Sequence, residues 1–291
     1  MIIPNSISPL VPADHKQVLQ LFRRTRRQHM QLDWLTLEDW LERPELHCWI
    51  ASNNSSLEAL LGASIEKANQ VNPDEPLAAW LRFAIPPMWG LQNMLLNRLW
   101  KGLREELVSL QVQLIGMLDL DGWMGRYVQG WGFKQTNSVV TLRRDKGELP
   151  PPLPIEVTIR QWTSSDLPAI VDVDTAAFGP LWRYTLEDIN PAARQAAIFT
   201  VAVLDGKIIA YQLSTRYAGS GHLARLAVRP EFQGYKIGSA LVHQMIQFFR
   251  DRGIHIITVN TQADNLQSQN VYKRFGFYLT GHRVPVWTLD L

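Results

Sequence analysis

Apolar residues recur at helical spacing over Asp166–Phe178, where Leu167, Ile170, Val171, Val173 and Ala177 fall on one side, and this pattern predicts a helix. A second, short helix is predicted from Leu186 onward. The period then changes. The stretch "IFTVAVLDGKIIAYQLSTR" reads as two buried strands joined at Asp205-Gly206, a dipeptide that readily takes positive φ in a hairpin turn. "HLARLAVRP" is a third strand, stopped by Pro230, which withdraws a ladder donor. From about Ser239 to Arg252 the helical period returns, with Leu241, Met245 and Phe249 on one stripe, Val242 and Ile246 beside it, and Gly253 as the stop. "IHIITVNT" predicts another strand, "NLQSQNVYKRF" a helix, and the tail from Tyr278 a returning strand. Helices mixed with hairpin-linked strands indicate an α+β protein rather than a doubly wound parallel sheet.

The same signposts occur once before. "TLED" at Thr36–Asp39 precedes a strand-like "HCWIAS", a second apolar segment "AAWLRFAIPP", a long amphipathic helix and "YVQGWGFKQTNSVVTLRR". The later half runs "TLED" at Thr185–Asp188, then two strands, a third, a helix, and "VYKRFGFYLTGHRVPVWTLDL". "WGF" at Trp131–Phe133 against "FGF" at Phe275–Phe277 makes duplication the better explanation of the shared order. Between the copies, "RDKGELPPPLPIE" carries four prolines that favour a stiff extended connector. The expected division is a domain over 1–147, a linker over 148–154 and a domain over 155–291.

A length of 291 residues accommodates two domains, each with its own core. The net charge of +2 gives no global reason to expect nucleic acid or an acidic membrane surface as partner. The basic run "RRTRR" at Arg23–Arg27 sits in an amphipathic stretch with Val18, Leu19 and Phe22, and reads as a solvated face. Trp34, Trp40, Trp49, Trp80, Trp89, Trp100, Trp123 and Trp131 read as packing residues. The single cysteine, Cys48, forms no internal disulfide, which fits a reducing compartment. "MIIPNSISPLVPAD" lacks the layout of a secretory signal, and "AAIFTVAVL" is too short to span a bilayer as a helix. The expectation is a cytoplasmic protein, monomer or homodimer, with no nucleic acid or membrane partner.

One segment carries chemistry. A strand followed by "QGYKIG" (Gln233–Gly238) and a helix presents several backbone amides to an anion, reinforced by the helix dipole. Alone, that loop is a weak signal and reads better as an ordinary helix entry. Downstream, Asn265, Ser268 and Tyr272 follow at spacings of three and four, hence on one helical face, and Gly276 in "RFGF" takes a C-cap position. In this combination the chain resembles the GCN5-related N-acetyltransferases over most of Ile155–Leu291, through "LAV" at Leu226–Val228, the "QGYKIG" loop and "N..S...Y..FGF".

The resemblance implies two tandem acetyltransferase-like domains, each a mixed, mostly antiparallel sheet flanked by helices, and acetyl-CoA as co-substrate without a metal. It implies that Leu226, Ala227 and Val228 lie on a splayed strand beside the pantetheine arm. Gln233, Gly234, Tyr235, Lys236, Ile237 and Gly238, with Ser239, would wrap the pyrophosphate. Asn265 and Ser268 would touch the far side of the cofactor, and Tyr272 would stand near its sulfur as the acid. A strand amide near Val228 would meet the oxyanion. Lys236 departs from the family pattern, which usually has glycine there. No base stands out. His222 begins the cofactor strand and is a candidate relay, while Trp182 and Tyr184 are candidates for an apolar acceptor wall with Arg183 attracting an acidic group.

In the earlier half Asp121, Met124 and Val128 stand opposite Asn265, Ser268 and Tyr272, and "IPPMWGLQNMLLNRLW" offers Gly90 alone, with Met94 and Leu95 where the later half has Ile237 and Gly238. The first copy therefore reads as degenerate. The expected function is transfer of an acetyl group from the thioester to an amine by direct attack, in the C-terminal domain. Two alternatives remain open: an inactive CoA-binding or protein-interaction module, and a tandem enzyme similar to the mycothiol synthases.

Overall fold

In the computed structural model, residues 6–53, 56–66, 75–87 and 92–291 are described. By packing, the chain divides into Met1–Thr136 with Val284–Leu291, and Asn137–Arg283. Trp89 and Gly90 lie outside the described residues.

The first unit runs β1 (Ser6–Pro9), α1 (His15–Arg24), β2 (His29–Met30), α2 (Leu37–Leu41), β3 (Leu46–Asn53), β4 (Ser56–Glu66), β5 (Ala78–Ile85), α3 (Gln92–Ser109), β6 (Leu114–Leu118) and α4 (Gly125–Gly130), with β7 (Lys134–Arg144) leading out. The second runs β8 (Thr158–Gln161), α5 (Leu167–Ala177), α6 (Leu186–Gln195), β9 (Ala196–Leu204), β10 (Lys207–Tyr217), β11 (Ser220–Val228), α7 (Ile237–Arg250), β12 (Ile257–Gln262), α8 (Leu266–Arg274) and β13 (Tyr278–Asp290). Both sheets are mixed and mostly antiparallel, in the orders β1-β3-β4-β5-β6 and β7-β12-β11-β10-β9-β8, with the parallel pairs β5/β6 and β11/β12. The expected α+β architecture is present in each half.

The repeated "TLED" has a physical reason. Thr36 Oγ1 accepts from the Asp39 amide at 3.1 Å while Asp39 Oδ2 accepts from the Thr36 amide at 2.9 Å, a reciprocal cap on α2. Thr185 and Asp188 repeat it on α6. The hairpin at Asp205-Gly206 takes positive φ at both residues, 47° and 75°, as expected.

The division by packing does not fall at the prolines. β12 pairs with β7 over Val139–Arg144, and β6 pairs with the end of β13 over Val286–Asp290, so each unit's sheet takes a strand from the other half of the chain. Buried Arg144 fixes this arrangement in the second unit, donating from Nε to Phe275 O at 2.8 Å and from Nη2 to Gly147 O and Glu148 O, both at 3.0 Å. The proline segment is held there too, with His243 Nε2 and Pro150 O 3.0 Å apart.

In the second core, α7 lays Leu241, Val242, Met245, Ile246 and Phe249 against the sheet. In the first, Trp100 stacks on Trp131 at 5.1 Å, and Trp40 and Trp80 are buried, so these tryptophans pack as expected. Cys48 is buried, and desolvation pushes its thiol far up, which removes it as a nucleophile. Among the described residues no helix is long and apolar enough to cross a membrane.

Candidate functional site

The second unit opens a slot in its own sheet. β11 pairs in parallel with β12 only over Gly221–Leu223 against Ile257–Val259. Beyond that the strands part: β12 continues against β7, and β11 continues against β10 as far as Val228. A bulge accompanies the parting, because Leu223 opposes Ser214 and Arg225 opposes Leu213, leaving Ala224 unmatched. The extra residue reverses which side chains face α7. Before it, Gly221 backs onto Phe249 and Leu223 joins the core of Val242 and Met245; after it, Leu226 and Val228 lie beside Gly238 of α7.

The backbone follows the same reversal. Arg229 N–H donates to Ile209 O at 2.9 Å, on the β10 side, so strand alternation turns the N–H and C=O groups of Leu226 and Val228 toward the slot. One of these is engaged locally, since Gln233 Nε2 donates to Val228 O at 3.1 Å.

The loop ahead of α7 meets the same slot. Gly234 has φ +87° and Lys236 has φ 65°, so the lysine adopts the left-handed conformation natural to the glycine that the family pattern carries there. That conformation costs an L-residue about 1–2 kcal/mol. α7 starts at Ile237, two residues earlier than its apolar period predicts, with no side-chain cap. Its first amides, from Ile237 to Ser239, therefore have no acceptor within the helix. Gln233, Gly234, Tyr235 and Lys236 are exposed, while Ile237 and Ser239 are buried.

Gly238 and Gly221 have different causes. A Cβ built on Gly221 would stand 2.7 Å from Phe249, so the fold itself demands glycine. A Cβ on Gly238 would meet nothing nearer than Val228 Cγ2 at 3.5 Å, an ordinary contact. The fold would tolerate a methyl at Gly238, so packing does not demand glycine there.

Across the slot stands α8. Tyr272 is buried at 4 % exposure among Leu223, Val242, Val259 and Phe277. Desolvation raises its phenol well above the ordinary value, with a side-chain hydrogen bond to Ser268 acting weakly against that rise. Asn265 proves to be the cap of α8, its Oδ1 accepting the Ser268 amide at 3.0 Å, because a helix beginning at Leu266 needs an acceptor there. Gly276 closes the helix with φ +79°, as expected.

His222 is set in the sheet rather than solvated, its Nδ1 2.8 Å from Thr258 Oγ1, and burial lowers its pKa from 6.5. Arg183 has a task other than the one expected. Its Nε donates to Thr175 O at 3.1 Å and Phe178 O at 2.8 Å, closing the carbonyl end of α5.

What sequence reasoning missed is the charge cluster beneath this loop. Asp174 is fully buried and accepts from Arg225 Nε at 2.8 Å, Arg225 Nη2 at 2.7 Å, the Tyr184 amide at 2.7 Å and the Tyr211 hydroxyl. Arg225 also donates to Trp182 O at 2.5 Å, and its guanidinium lies 3.6 Å from the Phe178 centroid and 4.0 Å from that of Tyr184. The cluster ties the cofactor-side strand to the loop bearing Trp182, Arg183 and Tyr184. Its signal in the sequence was an arginine inside the apolar "HLARLAV" and an aspartate inside the apolar "AIVDVD".

Comparison with known proteins covers this same region. Residues 158–277 match the Acetyltransferase (GNAT) family. An uncharacterized N-acetyltransferase of Methanocaldococcus jannaschii is 28% identical over 120 residues, 41% of this chain and 76% of that protein. A mycothiol acetyltransferase of Streptomyces avermitilis is 32% identical over 138 residues, 44% of each chain. The match thus spans less than half of that relative. A tandem GNAT protein from the clavulanic acid biosynthesis pathway aligns over 98% of both chains with a TM-score of 0.61 at 14% identity, a likeness of fold. Residues 158–277, which include the slot, its loop and α8, thus form an acetyltransferase domain of the GNAT family within the chain.

Proposed function

We propose that the second unit transfers an acetyl group from acetyl-CoA directly to an amine, with its working site at the parting of β11 and β12. The single observation that carries this is the open backbone edge of Leu226 and Val228 leading to the uncapped start of α7. An extended amide-bearing arm can pair with such an edge as an added strand would. The diphosphate that follows the arm suits the amides from Gly234 to Ser239 and the positive end of α7. Gly238 puts no side chain among those amides. When bound, acetyl-CoA supplies the activated acyl group.

The residues then divide the work. The Val228 amide donates to the thioester oxygen as negative charge grows on it. Tyr272 holds its proton at the departing sulfur. Its phenol lies above its own ordinary value, and a thiol titrates near about 8.5. A hydrogen bond to the thiolate is therefore favourable while complete proton transfer is uphill. His222, neutral at pH 7 because burial lowers its pKa, accepts the amine proton through water. Trp182 and Tyr184 form the acceptor wall, set by the Asp174 cluster.

A second reading names the acceptor class. Similarity to mycothiol acetyltransferases favours the amine of a thiol-bearing amino-sugar precursor. The test of both readings is release of free CoA thiol from acetyl-CoA in the presence of an amine panel that includes amino-sugar thiol precursors. Release that depends on the amine and collapses in Tyr272→Phe supports the proposal. Tight nucleotide binding with no release for any amine would identify a binding module instead.

A further inference from the structure

We infer that the first unit's equivalent slot is filled by the protein's own chain, so that each chain binds one acetyl-CoA, in the second unit. The inference rests on the reading of the second unit as the acetyl-CoA site.

The first unit repeats the parting of the strands. β5 pairs in parallel with β6 only over Ala78–Trp80 against Leu114–Gly116, after which β6 continues against the end of β13. A bulge falls at the parting here too, with Leu81 opposite Ala63, Phe83 opposite Gly62, and Arg82 unmatched. β4 occupies one edge of β5 throughout, so the parting of β6 bares the other. In β11 no strand lies on the corresponding edge, where only Val228 O is engaged, by Gln233.

In β5 it is covered. β2 lies antiparallel on it, with His29 opposite Ala84 and Met30 opposite Phe83. Gln31 N–H donates to Arg82 O at 2.9 Å, continuing the ladder. Fully buried His29 reaches Leu81 O from Nε2 at 3.1 Å, and Trp123 Nε1 donates to Gln28 O at 3.3 Å. Arg82 holds the following residues, donating to Gln31 O at 3.5 Å and to Asp33 Oδ2 at 2.5 Å, with Glu66 on its other nitrogen at 3.0 Å. The segment Gln28–Gln31 thus uses the main-chain groups that an amide-bearing arm would need.

Chain length explains why only one unit does this. The connection from α1 to α2 runs Thr25–Thr36, whereas that from α5 to α6 runs only Phe178–Thr185 and is clasped by Asp174 and Arg225. A tethered strand competes at high effective concentration against any free ligand for the same edge.

The experiment is native mass spectrometry of the full chain with saturating acetyl-CoA, for the wild type and for Gly238→Trp, which puts an indole among the amides of the second unit's loop. A thermal melt confirms that the variant is folded. The expected result is one nucleotide per wild-type chain and none on Gly238→Trp. Two nucleotides on the wild type would overturn the inference while leaving the reading of the second unit standing, whereas a single nucleotide that persists in a folded Gly238→Trp would overturn both. No nucleotide on the wild type would instead overturn the reading of the second unit, and the stoichiometry proposed here with it.

Discussion

The slot between β11 and β12 and the slot between β5 and β6 arise from the same divergence of two parallel strands beside a bulge, and they differ in what lies on the bared edge. In one, the main-chain groups of Leu226 and the N–H of Val228 face the slot, with only Val228 O held by Gln233; in the other, His29–Gln31 pairs along Arg82–Ala84. The fold therefore requires the parting but not the ligand. What separates a site from a scaffold is a connection of a few more residues and a change at three positions, where Asp121, Met124 and Val128 stand opposite Asn265, Ser268 and Tyr272. Each unit also buries one arginine on this central strand, Arg82 over Trp40 at 4.2 Å and Arg225 between Phe178 and Tyr184, with carboxylates clasping both.

The largest expected effect falls on those clasps. Asp174→Ala strands Arg225 in a buried site and should lower unfolding free energy by about 3–5 kcal/mol, as should loss of either acidic partner set around Arg82. Urea melts of Asp174→Ala that match the wild type would remove the cluster from any role in positioning the acceptor loop. Next comes turnover. Tyr272→Phe should cut it by about 10²–10³ with acetyl-CoA affinity held, whereas Tyr127→Phe, a buried phenol on α4 of the other unit, should leave it unchanged. Equal losses in both would erase the distinction between the halves.

Gly238→Ala is smaller and sharper. An alanine has room and favours the helix, so the melting temperature should hold or rise, while affinity for acetyl-CoA falls about tenfold through the lost approach to the amides. Gly221→Ala should do the reverse, damaging stability, because its Cβ would collide with Phe249. A pH effect follows from Asp166, whose pKa is lowered from 3.8 to about 2 by hydrogen bonds from Arg160 first and from Thr163. A carboxyl depressed on folding contributes stability above its unfolded pKa, so the second unit should weaken as pH falls from about 4 to about 2. Arg160→Met should flatten that decline in acid titrations followed by circular dichroism. The smallest change is Lys236→Gly. Relief of the left-handed backbone, offset by glycine's greater entropy loss, should raise stability by about 0.5 kcal/mol in denaturant melts.

Local signals in the sequence carried most of the second unit. The change from helical to strand period, the Asp205-Gly206 turn and the stops at Gly253 and Gly276 depend on neighbours along the chain and were readable there. The loop at Gln233–Gly238 and Tyr272 were legible through spacing and family resemblance together. Asn265 was seen as polar at the right place, but a cap and a ligand contact call for the same residue type. Other features depend on partners distant in the chain. Nothing in "QHMQ" distinguishes a two-residue strand from a loop, since the strand it pairs with, along Arg82–Ala84, lies some fifty residues on in the chain. The division by packing departs from the proline segment for a similar reason: the prolines mark where the chain is stiff, whereas β7 and β13 are assigned by which edge each completes.

Amide hydrogen exchange with and without CoA tests the central claim most directly. The account predicts slowed exchange at Leu226, Val228 and Gly234–Ser239 when CoA is added, with His29–Gln31 and Phe83–Ala84 protected equally in both conditions. Protection that arises instead along β5, or no change along β11 at saturating CoA, would contradict it.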